Sequence, residues 1–256
     1  MIDHLLAVRR LVKSFDGVHV LNSVFINFAS GRVKALIGPN GAGKTTLFNV
    51  ISGLEKADAG KVFFQGTDIT GKSPEVIAGM GISRTFQTTQ VFDRLSVVEN
   101  ILVGRTIRTK VSFLEACLWL PGAYRMEHAN LSEAFRILEF LGLYEKARRE
   151  IRQVTTLERK LVELGRALAL EPELLLLDEP FGGLTREESR VVSEKILRLR
   201  ERGLAVVIID HHFGAVSAIS DDVAVLHQGK IIVSGIPEEV RENPVVVAAY
   251  FTHESS

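Results

Sequence analysis

The sequence predicts an α/β fold with a parallel sheet core, an N-terminal antiparallel β subdomain and an inserted α-helical subdomain. Three observations support this prediction. Apolar runs alternate with a helical pattern between residues 173 and 210, as is typical of a parallel sheet covered on both faces. Strand patterns separated by turns fill the first sixty residues, and helical periodicity replaces them from about 88 to 165. We therefore expect one domain over 1–256, with the core and β subdomain at 1–87 and 166–256 and the helical subdomain at 88–165.

The N-terminal elements follow from local patterns. Two runs rich in Val, Leu, Ile and Phe predict paired strands, "HLLAVRRLV" and "HVLNSVFINF". "RVKALI" (32–37) reads as a short buried strand that leads directly into glycines, and "KVFFQG" reads as a further strand. "KTTLFNVIS" (44–52) has helical spacing, and Gly53 then suits the left-handed residue that ends many helices.

The remaining elements are predicted in the same way. Helical spacing indicates helices in "LSVVENILVG", "LSEAFRILEFLGL" and "REESRVVSEKILRLRERG". "QVTTLERKLVELGRALAL" (152–169) predicts a helix opened by a capping box between Thr155 and Glu158. Strands are predicted at "ELLLLD" (173–178), "LAVVIID" (204–210), "DVAVLHQG" (222–229) and "KIIVSG" (230–235), the last two as a hairpin.

Composition excludes several classes of protein. The chain is 46% hydrophobic and 24% charged, which is ordinary for a globular protein. Its 31 basic and 31 acidic residues give no broad positive field, so we expect no nucleic-acid partner. The only cysteine, Cys117, cannot form an internal disulfide, which fits the cytoplasm. We find no signal-peptide pattern and no apolar run near the ~20 residues that span a bilayer, so we expect membrane contact only through a partner.

The strongest chemical signal is "GPNGAGKT" at 38–45, between a predicted buried strand and a predicted helix. This pattern is that of a P-loop, whose backbone N–H groups wrap phosphates. Lys44 would reach the β- and γ-phosphates of a nucleotide, and the Thr45 hydroxyl would bind Mg²⁺. A glycine-rich turn that binds nothing fits this context less well. The motif predicts a P-loop NTPase.

Polar residues that follow two other predicted strands complete the constellation. After "LLLL", Asp178 suits the Mg²⁺ shell and Glu179 could accept a proton from an attacking water. Of His211 and His212, only one can face the site, because neighbouring side chains on a strand point to opposite faces. Taken alone, these pairs could equally be solvated acids and surface histidines.

Two further residues are weaker candidates. Gln87, in "RTFQTTQVF", follows a short extended run, and its amide could bind Mg²⁺ and sense the position of the helical insertion. Phe15, in "KSFDG", could stack on a base. In isolation they would read as a loop glutamine and a core aromatic residue.

Taken in order, these residues resemble the nucleotide-binding subunit of an ABC transporter over essentially the whole chain. The resemblance covers Phe15, the Walker A motif at 38–45, Gln87, the helical subdomain, the Walker B strand at 174–178, "GGLT" at 182–185 and His211. It implies a RecA-like core that binds ATP and Mg²⁺ and hydrolyses the ATP. The implied catalytic residues are Lys44, Gln87, Glu179 and His211, and the implied Mg²⁺ ligands are Thr45, Gln87 and Asp178. The implied nucleotide-binding residues are Phe15, Val20, Asn40, Gly41, Ala42, Gly43, Lys44, Thr45 and Thr46.

Two stretches resemble the ATPases of branched-chain amino acid importers, namely "GISRTFQTTQVFDRLSVVENILVG" and "GIPEEVRENPVVVAAYF". The resemblance implies integral membrane permease subunits as partners, a peripheral position on the inner face of the cell membrane, and a second ABC ATPase subunit. Related systems for urea or amide uptake or for lipopolysaccharide export are alternatives. So are a non-transport ABC ATPase of DNA repair or translation and a non-enzymatic ATP-binding regulator.

The chain departs from the family at its signature loop. Counting back from "GRALAL" places the Leu-Ser-Gly-Gly-Gln motif on residues 154–158, of which Thr155, Thr156, Leu157 and Glu158 form a degenerate loop. Leu157 adds a Cβ where close backbone approach is expected. Glu158 adds a negative charge, and a charge pair at ~4 Å is worth ~4 kcal/mol at an effective dielectric constant of ~20. We therefore expect a heterodimer with one weakened site, with a homodimer as the alternative.

Overall fold

The computed structural model describes residues 4–85, 91–107, 121–210 and 213–251. The strands are β1 His4–Phe15, β2 Val18–Ala29, β3 Val33–Ile37, β4 Ala59–Phe64, β5 Thr67–Asp68, β6 Ile82–Arg84, β7 Leu174–Asp178, β8 Ala205–Ile209, β9 Asp222–His227 and β10 Lys230–Gly235. The helices are α1 Lys44–Ile51, α2 Pro74–Gly79, α3 Val97–Gly104, α4 Pro121–Leu141, α5 Thr156–Leu168, α6 Arg186–Glu201, α7 Phe213–Ser217, α8 Pro237–Glu242 and α9 Pro244–Phe251.

The N-terminal sheet is antiparallel, with strand order β2-β1-β4-β5. It packs its apolar side chains, among them Leu6, Val8 and Leu11, into a core shared with Leu47 and Phe48 of α1. The predicted antiparallel β subdomain is therefore present. Its core is continuous with the helix that follows the P-loop.

The second sheet has the order β10-β9-β3-β8-β7-β6 and is parallel except for the β9–β10 hairpin. The hairpin predicted at 222–235 is confirmed. Gln228 and Gly229 both have positive φ (47° and 74°), as a tight two-residue turn requires. Strand β8 lies between β3 and β7, so the P-loop strand and the strand that ends in Asp178 are next-nearest neighbours.

Within the described ranges, the helical part contains α3, α4 and α5, which pack on one another around residues such as Ile101, Leu138 and Leu161. Gly104 lets α3 lie close against α5, because a Cβ at this position would lie 2.2 Å from the Arg166 carbonyl oxygen of α5. The domain boundary expected at residue 165 falls inside α5, since the helix runs unbroken to Leu168. Among the described residues, none of the helices combines the length and apolar character needed to cross a membrane.

Candidate nucleotide-binding site

The P-loop follows β3 directly and is held close to two neighbouring strands. Gly38 has φ 153°, and a Cβ there would lie 2.0 Å from the Leu226 carbonyl oxygen of β9. Gly43 has φ 103°, and its Cβ would lie 2.6 Å from the Val20 carbonyl oxygen of β2. Both positions therefore require glycine. The second contact also brings Val20, one of the predicted nucleotide-binding residues, beside the P-loop.

Lys44 is folded back onto its own loop. Its Nζ donates hydrogen bonds to the carbonyl oxygens of Gly38 (2.7 Å) and Pro39 (2.9 Å). Burial lowers the pKa of Lys44, against the opposing effect of the nearby Glu179 and Asp178 carboxylates. The ammonium group therefore gains from an added anionic partner, as a phosphate would be.

The start of α1 differs from the starts of α3, α5 and α6. Those three helices open with complete capping boxes, formed by the pairs Ser96–Glu99, Thr155–Glu158 and Thr185–Glu188. At α1 the N-cap is Gly43, which has no side chain to cap with. A helix start with uncapped N–H groups and a partial positive charge is a ready site for phosphate.

Asp178 ends β7 with only 2% of its surface exposed. Its Oδ2 accepts a hydrogen bond from Nη2 of Arg84 at 2.9 Å, whereas its buried Oδ1 has no hydrogen-bond partner within the described ranges. Burial raises the pKa of Asp178, and Arg84 opposes that rise. A buried, unpartnered carboxylate oxygen is the kind of group that Mg²⁺ binds, so the residues present fit this ion.

Arg84 is a residue of this site that the sequence reasoning missed. Its Nη1 also donates to Asn49 Oδ1 (2.7 Å) and Ser52 Oγ (3.2 Å), and its guanidinium lies 5.5 Å from the centre of the Phe48 ring. It therefore ties β6 to α1 and to the end of β7. Its position three residues before Gln87 is the only feature of the sequence that could have suggested a role at this site. Its ion-pair partner, Asp178, lies 94 residues away in the sequence.

Glu179 follows Asp178 in an unusual backbone conformation, with φ 49°. Its N–H donates to the Ile209 carbonyl oxygen at 2.8 Å, and its own carbonyl oxygen accepts from Lys160 Nζ at 3.2 Å. A left-handed conformation at a glutamate costs free energy, and such strain is common at functional sites. The conformation holds Glu179 at the same sheet edge as the P-loop.

The other predicted nucleotide-binding residues range from exposed to fully buried. Phe15 is 41% exposed, and Lys13 Nζ lies 4.9 Å from its ring centre. The exposed members of the P-loop are Asn40, Gly41 and Thr45, while Thr46 is partly and Ala42 fully buried. Gln87, His211 and His212 lie outside the described residues, so their predicted roles remain predictions.

The degenerate signature loop opens α5 as predicted, with Thr155 as N-cap. Thr155 Oγ1 accepts from the Glu158 N–H, and Glu158 Oε2 accepts from the Thr155 N–H at 2.9 Å. The other carboxylate oxygen, Oε1, is ion-paired with Lys146 Nζ. Partial burial raises the pKa of Glu158, but the bonds from Lys146 and Thr155 outweigh this, and the pKa lies below its ordinary value.

This ion pair corrects the electrostatic argument from sequence. The ~4 kcal/mol repulsion assumed a bare charge at Glu158, but the ammonium group of Lys146 already compensates much of it. The capping box also occupies two N–H groups of this loop, those of Thr155 and Glu158. Thr156 and Leu157 lie between these two residues and begin the helix. The loop's own side chains therefore take part of its capacity to bind an anion.

Comparison with known proteins decides the family. Residues 21–182 match the sequence model of the ABC transporter family. The chain belongs to this family. It is the ATP-binding subunit of an ABC transporter, and hence an ATPase that works with membrane components.

The similarity extends over nearly the whole chain. It is 37% identical to a probable branched-chain amino acid transport ATP-binding protein, LivG, of Archaeoglobus fulgidus, over 98% of this chain and 97% of that protein. It is 35% identical to the high-affinity protein of the same name from Escherichia coli K12, over 98% of both chains. Among solved structures it resembles an ABC transporter cassette in its ADP conformation, at 36% identity and a TM-score of 0.86, covering 97% of this chain and 98% of that one.

Proposed function

We propose that this ABC ATPase powers the uptake of branched-chain amino acids through separate integral membrane permeases, to which it binds on the inner face of the cell membrane. The cargo assignment rests on the relatives named branched-chain amino acid transport proteins, which are 34–37% identical over 96–98% of the chain. Systems for urea or amide uptake and for lipopolysaccharide export are the alternatives that a transport assay must separate from it.

One observation supports the hydrolytic site best. Buried Asp178, whose Oδ1 has no hydrogen-bond partner among the described residues, ends a strand two positions from the P-loop strand. Thr45, Asp178 and Gln87 would hold Mg²⁺, which supplies positive charge that stabilises phosphate oxygens. Lys44 would exchange its two carbonyl partners for phosphate oxygens. The uncapped N–H groups at the start of α1 would bind the same phosphates.

The remaining roles concern water and the base. We assign Glu179 as the group that accepts the proton of the attacking water, and His211 as the group that would polarise the γ-phosphate. Phe15, exposed at the end of β1, would stack on the adenine. Val20 would lie beside the ribose or base because it adjoins Gly43.

We also propose the domain division predicted from sequence, with the helical subdomain extended from 88 to the end of α5 at Leu168. The core then comprises 1–87 and the chain from residue 169 onward. The continuity of α5 supports this shift.

Glu179→Gln tests the enzymatic role. In the complex reconstituted with its permeases in liposomes, we expect ATP binding to be kept and both ATP hydrolysis and leucine transport to fall at least 100-fold, since the base is lost. Glu187→Gln, on the exposed start of α6, is the matched control and should change neither. Undiminished ATP turnover in Glu179→Gln would reject this assignment. Transport of urea but not leucine would reject the cargo.

For the second ATPase we propose a different chain, because the signature loop here is closed by its own capping box and ion pair. The partner would then contribute an intact signature to the site built from Lys44, Asp178 and Glu179. Glu179→Gln protein alone, incubated with ATP and Mg²⁺, should stay monomeric in sedimentation experiments at micromolar concentration. A stable ATP-dependent homodimer would refute the heterodimer.

Glu158→Gln probes the loop directly. A glutamine keeps the capping geometry but removes the negative charge, so we expect stronger ATP-driven association with the partner. The gain should be smaller than ~4 kcal/mol, the value for an uncompensated pair, because Lys146 already offsets the charge. No change in association or turnover would show that the charge of Glu158 does not reach the nucleotide.

A further inference from the structure

A second charged cavity lies between the two sheets, at the opposite end of β3 from the P-loop. It encloses about 620 Å³. We call it the β3-base cavity and define it by six of its lining residues, which are Arg9, Phe25, Asn27, Arg32, Lys34 and Asp222. Its walls come from β1 and β2 of the first sheet and from the beginnings of β3 and β9 in the second.

Asn27 organises one side of the cavity. Its side-chain Oδ1 accepts a hydrogen bond from Arg9 Nη1, and its backbone carbonyl oxygen accepts from Lys34 Nζ at 3.0 Å. Its Nδ2 lies 3.0 Å from His4 Nε2. Because an amide nitrogen donates, Nε2 of His4 is the acceptor in this contact. The two cations are thus positioned by a neutral residue.

The lining carries an excess of positive charge. Arg9, Arg32 and Lys34 contribute three cations, and Asp222, 3.6 Å from Arg32, is the single carboxylate of the defined lining. Lys34 and Asp222 are also paired across β3 and β9. Burial lowers the pKa of Lys34, Asp222 opposes this, and Arg32 adds to the lowering. The formal charge of the defined lining is therefore +2, in a chain whose formal net charge is +0.

We propose that the β3-base cavity binds a phosphate monoester, with its dianionic phosphoryl group on Arg9, Arg32 and Lys34. A monoester carries a charge of about −1.5 to −2 at neutral pH, which matches the excess in the lining. Arginine presents a planar fork of donors that suits phosphate oxygens. A zwitterionic amino acid, with no net charge, would leave the excess uncompensated.

Phe25 indicates that the ligand has an organic part. Half of its surface (50%) is exposed beside the cations. An exposed aromatic face next to a phosphate-binding group can pack on a ring or a sugar. A volume of several hundred Å³ also exceeds what a bare phosphate ion would fill.

The proposed site is separate from the nucleotide site. Arg32 and Lys34 flank the first residue of β3, whereas the P-loop begins after the last residue of this strand. Five strand residues at about 3.3 Å each place the two about 17 Å apart. One ATP phosphate group therefore cannot serve both sites, and the proposal does not depend on the cargo or on the dimer partner.

The test is calorimetric titration of the full chain, saturated with ADP and Mg²⁺ so that the P-loop is filled. The probes are phenyl phosphate, ribose 5-phosphate, inorganic phosphate and leucine. We expect both esters to bind, and the tighter of the two identifies the organic part as aromatic or sugar-like. Inorganic phosphate binding as tightly as both esters, leucine binding in their place, or no ester binding would each overturn the proposal.

Variants locate the binding. Arg9→Gln and Lys34→Met should each weaken ester binding at least 10-fold, and ADP affinity should change less than 2-fold. Arg136→Gln, an exposed cation on α4, is the control and should change nothing. Asp222→Asn removes the only carboxylate of the defined lining and should tighten ester binding at least 3-fold, a gain that loss of structure cannot produce. Ester affinity that is insensitive to Arg9→Gln and Lys34→Met, or weakened by Asp222→Asn, would overturn the proposal.

Discussion

Replacing Arg84 by methionine tests the electrostatics at the centre of the candidate site. The side chains of Arg84 and Asp178 are only 6% and 1% exposed, and their charged atoms lie 2.9 Å apart. Removing one partner of a buried ion pair leaves the other charge uncompensated, which typically costs 3–5 kcal/mol. We expect Arg84→Met to lower the free energy of unfolding by about that amount.

The loss should be visible in simple unfolding experiments. For a chain of this size each kcal/mol shifts Tm by roughly 2–4 °C, so a fall of roughly 6–20 °C is expected in the absence of nucleotide. The assay is thermal unfolding followed by circular dichroism, supported by urea titration. Arg32→Met is the matched control, since its pair with Asp222 is longer (3.6 Å) and partly exposed. That change should cost less than about 1 kcal/mol.

A double variant decides whether the pair is the cause. Arg84→Met combined with Asp178→Asn removes both charges and should recover more than half of the stability that Arg84→Met loses. If the two single effects simply add, or if Arg84→Met costs less than about 1 kcal/mol, the reasoning is refuted. Asn49 and Ser52 lose their hydrogen bonds from Arg84 both in Arg84→Met and in the double variant, so this loss cancels when the two variants are compared.

Three further predictions concern stability and its pH dependence. Gly104→Ala should lower the free energy of unfolding by about 1–3 kcal/mol, because the added methyl group forces α3 away from α5. Gly79 has open space around it, so Gly79→Ala should leave the stability unchanged or raise it by up to about 1 kcal/mol. Equal effects of the two variants in urea titrations would contradict this. Thr185→Ala should cost about 1 kcal/mol through loss of the α6 N-cap and Thr185→Ser should restore it, with equally unstable variants as the contrary result. Because the pKa of Glu158 is lowered in the folded state, its charge stabilises the fold above the ordinary carboxyl pKa. This stabilisation is lost as the pH falls through the lowered pKa, so the free energy of unfolding of Glu158→Gln should vary less between pH 7 and 3 than that of the unchanged protein. Parallel curves for the two proteins would contradict the prediction.

Features encoded by neighbouring residues could be predicted from the sequence. The capping box of Thr155 and Glu158 and the hairpin turning at Gln228 and Gly229 depend on residues close together in the chain, and both are confirmed. The motif that contains Lys44 is predicted to lie between a strand and a helix, and β3 and α1 flank it. Each of these signals needs only local geometry.

Contacts between distant residues could not be predicted in this way. Arg84 pairs with Asp178 across 94 residues, and nothing in a strand pattern identifies which neighbouring strand will supply a charge. Lys146 and Glu158 are separated by a short 3₁₀ turn, Ile151–Gln153, whose direction decides whether they meet. The β3-base cavity likewise depends on how one sheet lies on another, which hydrophobic periodicity does not specify.

The position of β8 makes the sheet itself a spacer for the site. Leu36 of β3 and Asp178 of β7 both pair with Ile209, from opposite sides. With strands about 4.8 Å apart, the P-loop strand and the acidic strand are held about 10 Å from each other by backbone hydrogen bonds alone. The distance between the P-loop strand and the strand that ends in Asp178 is thus set by β8, a strand that need not touch the nucleotide. A substitution in the apolar interior of β8 can therefore alter the reaction geometry while every polar residue of the site stays in place.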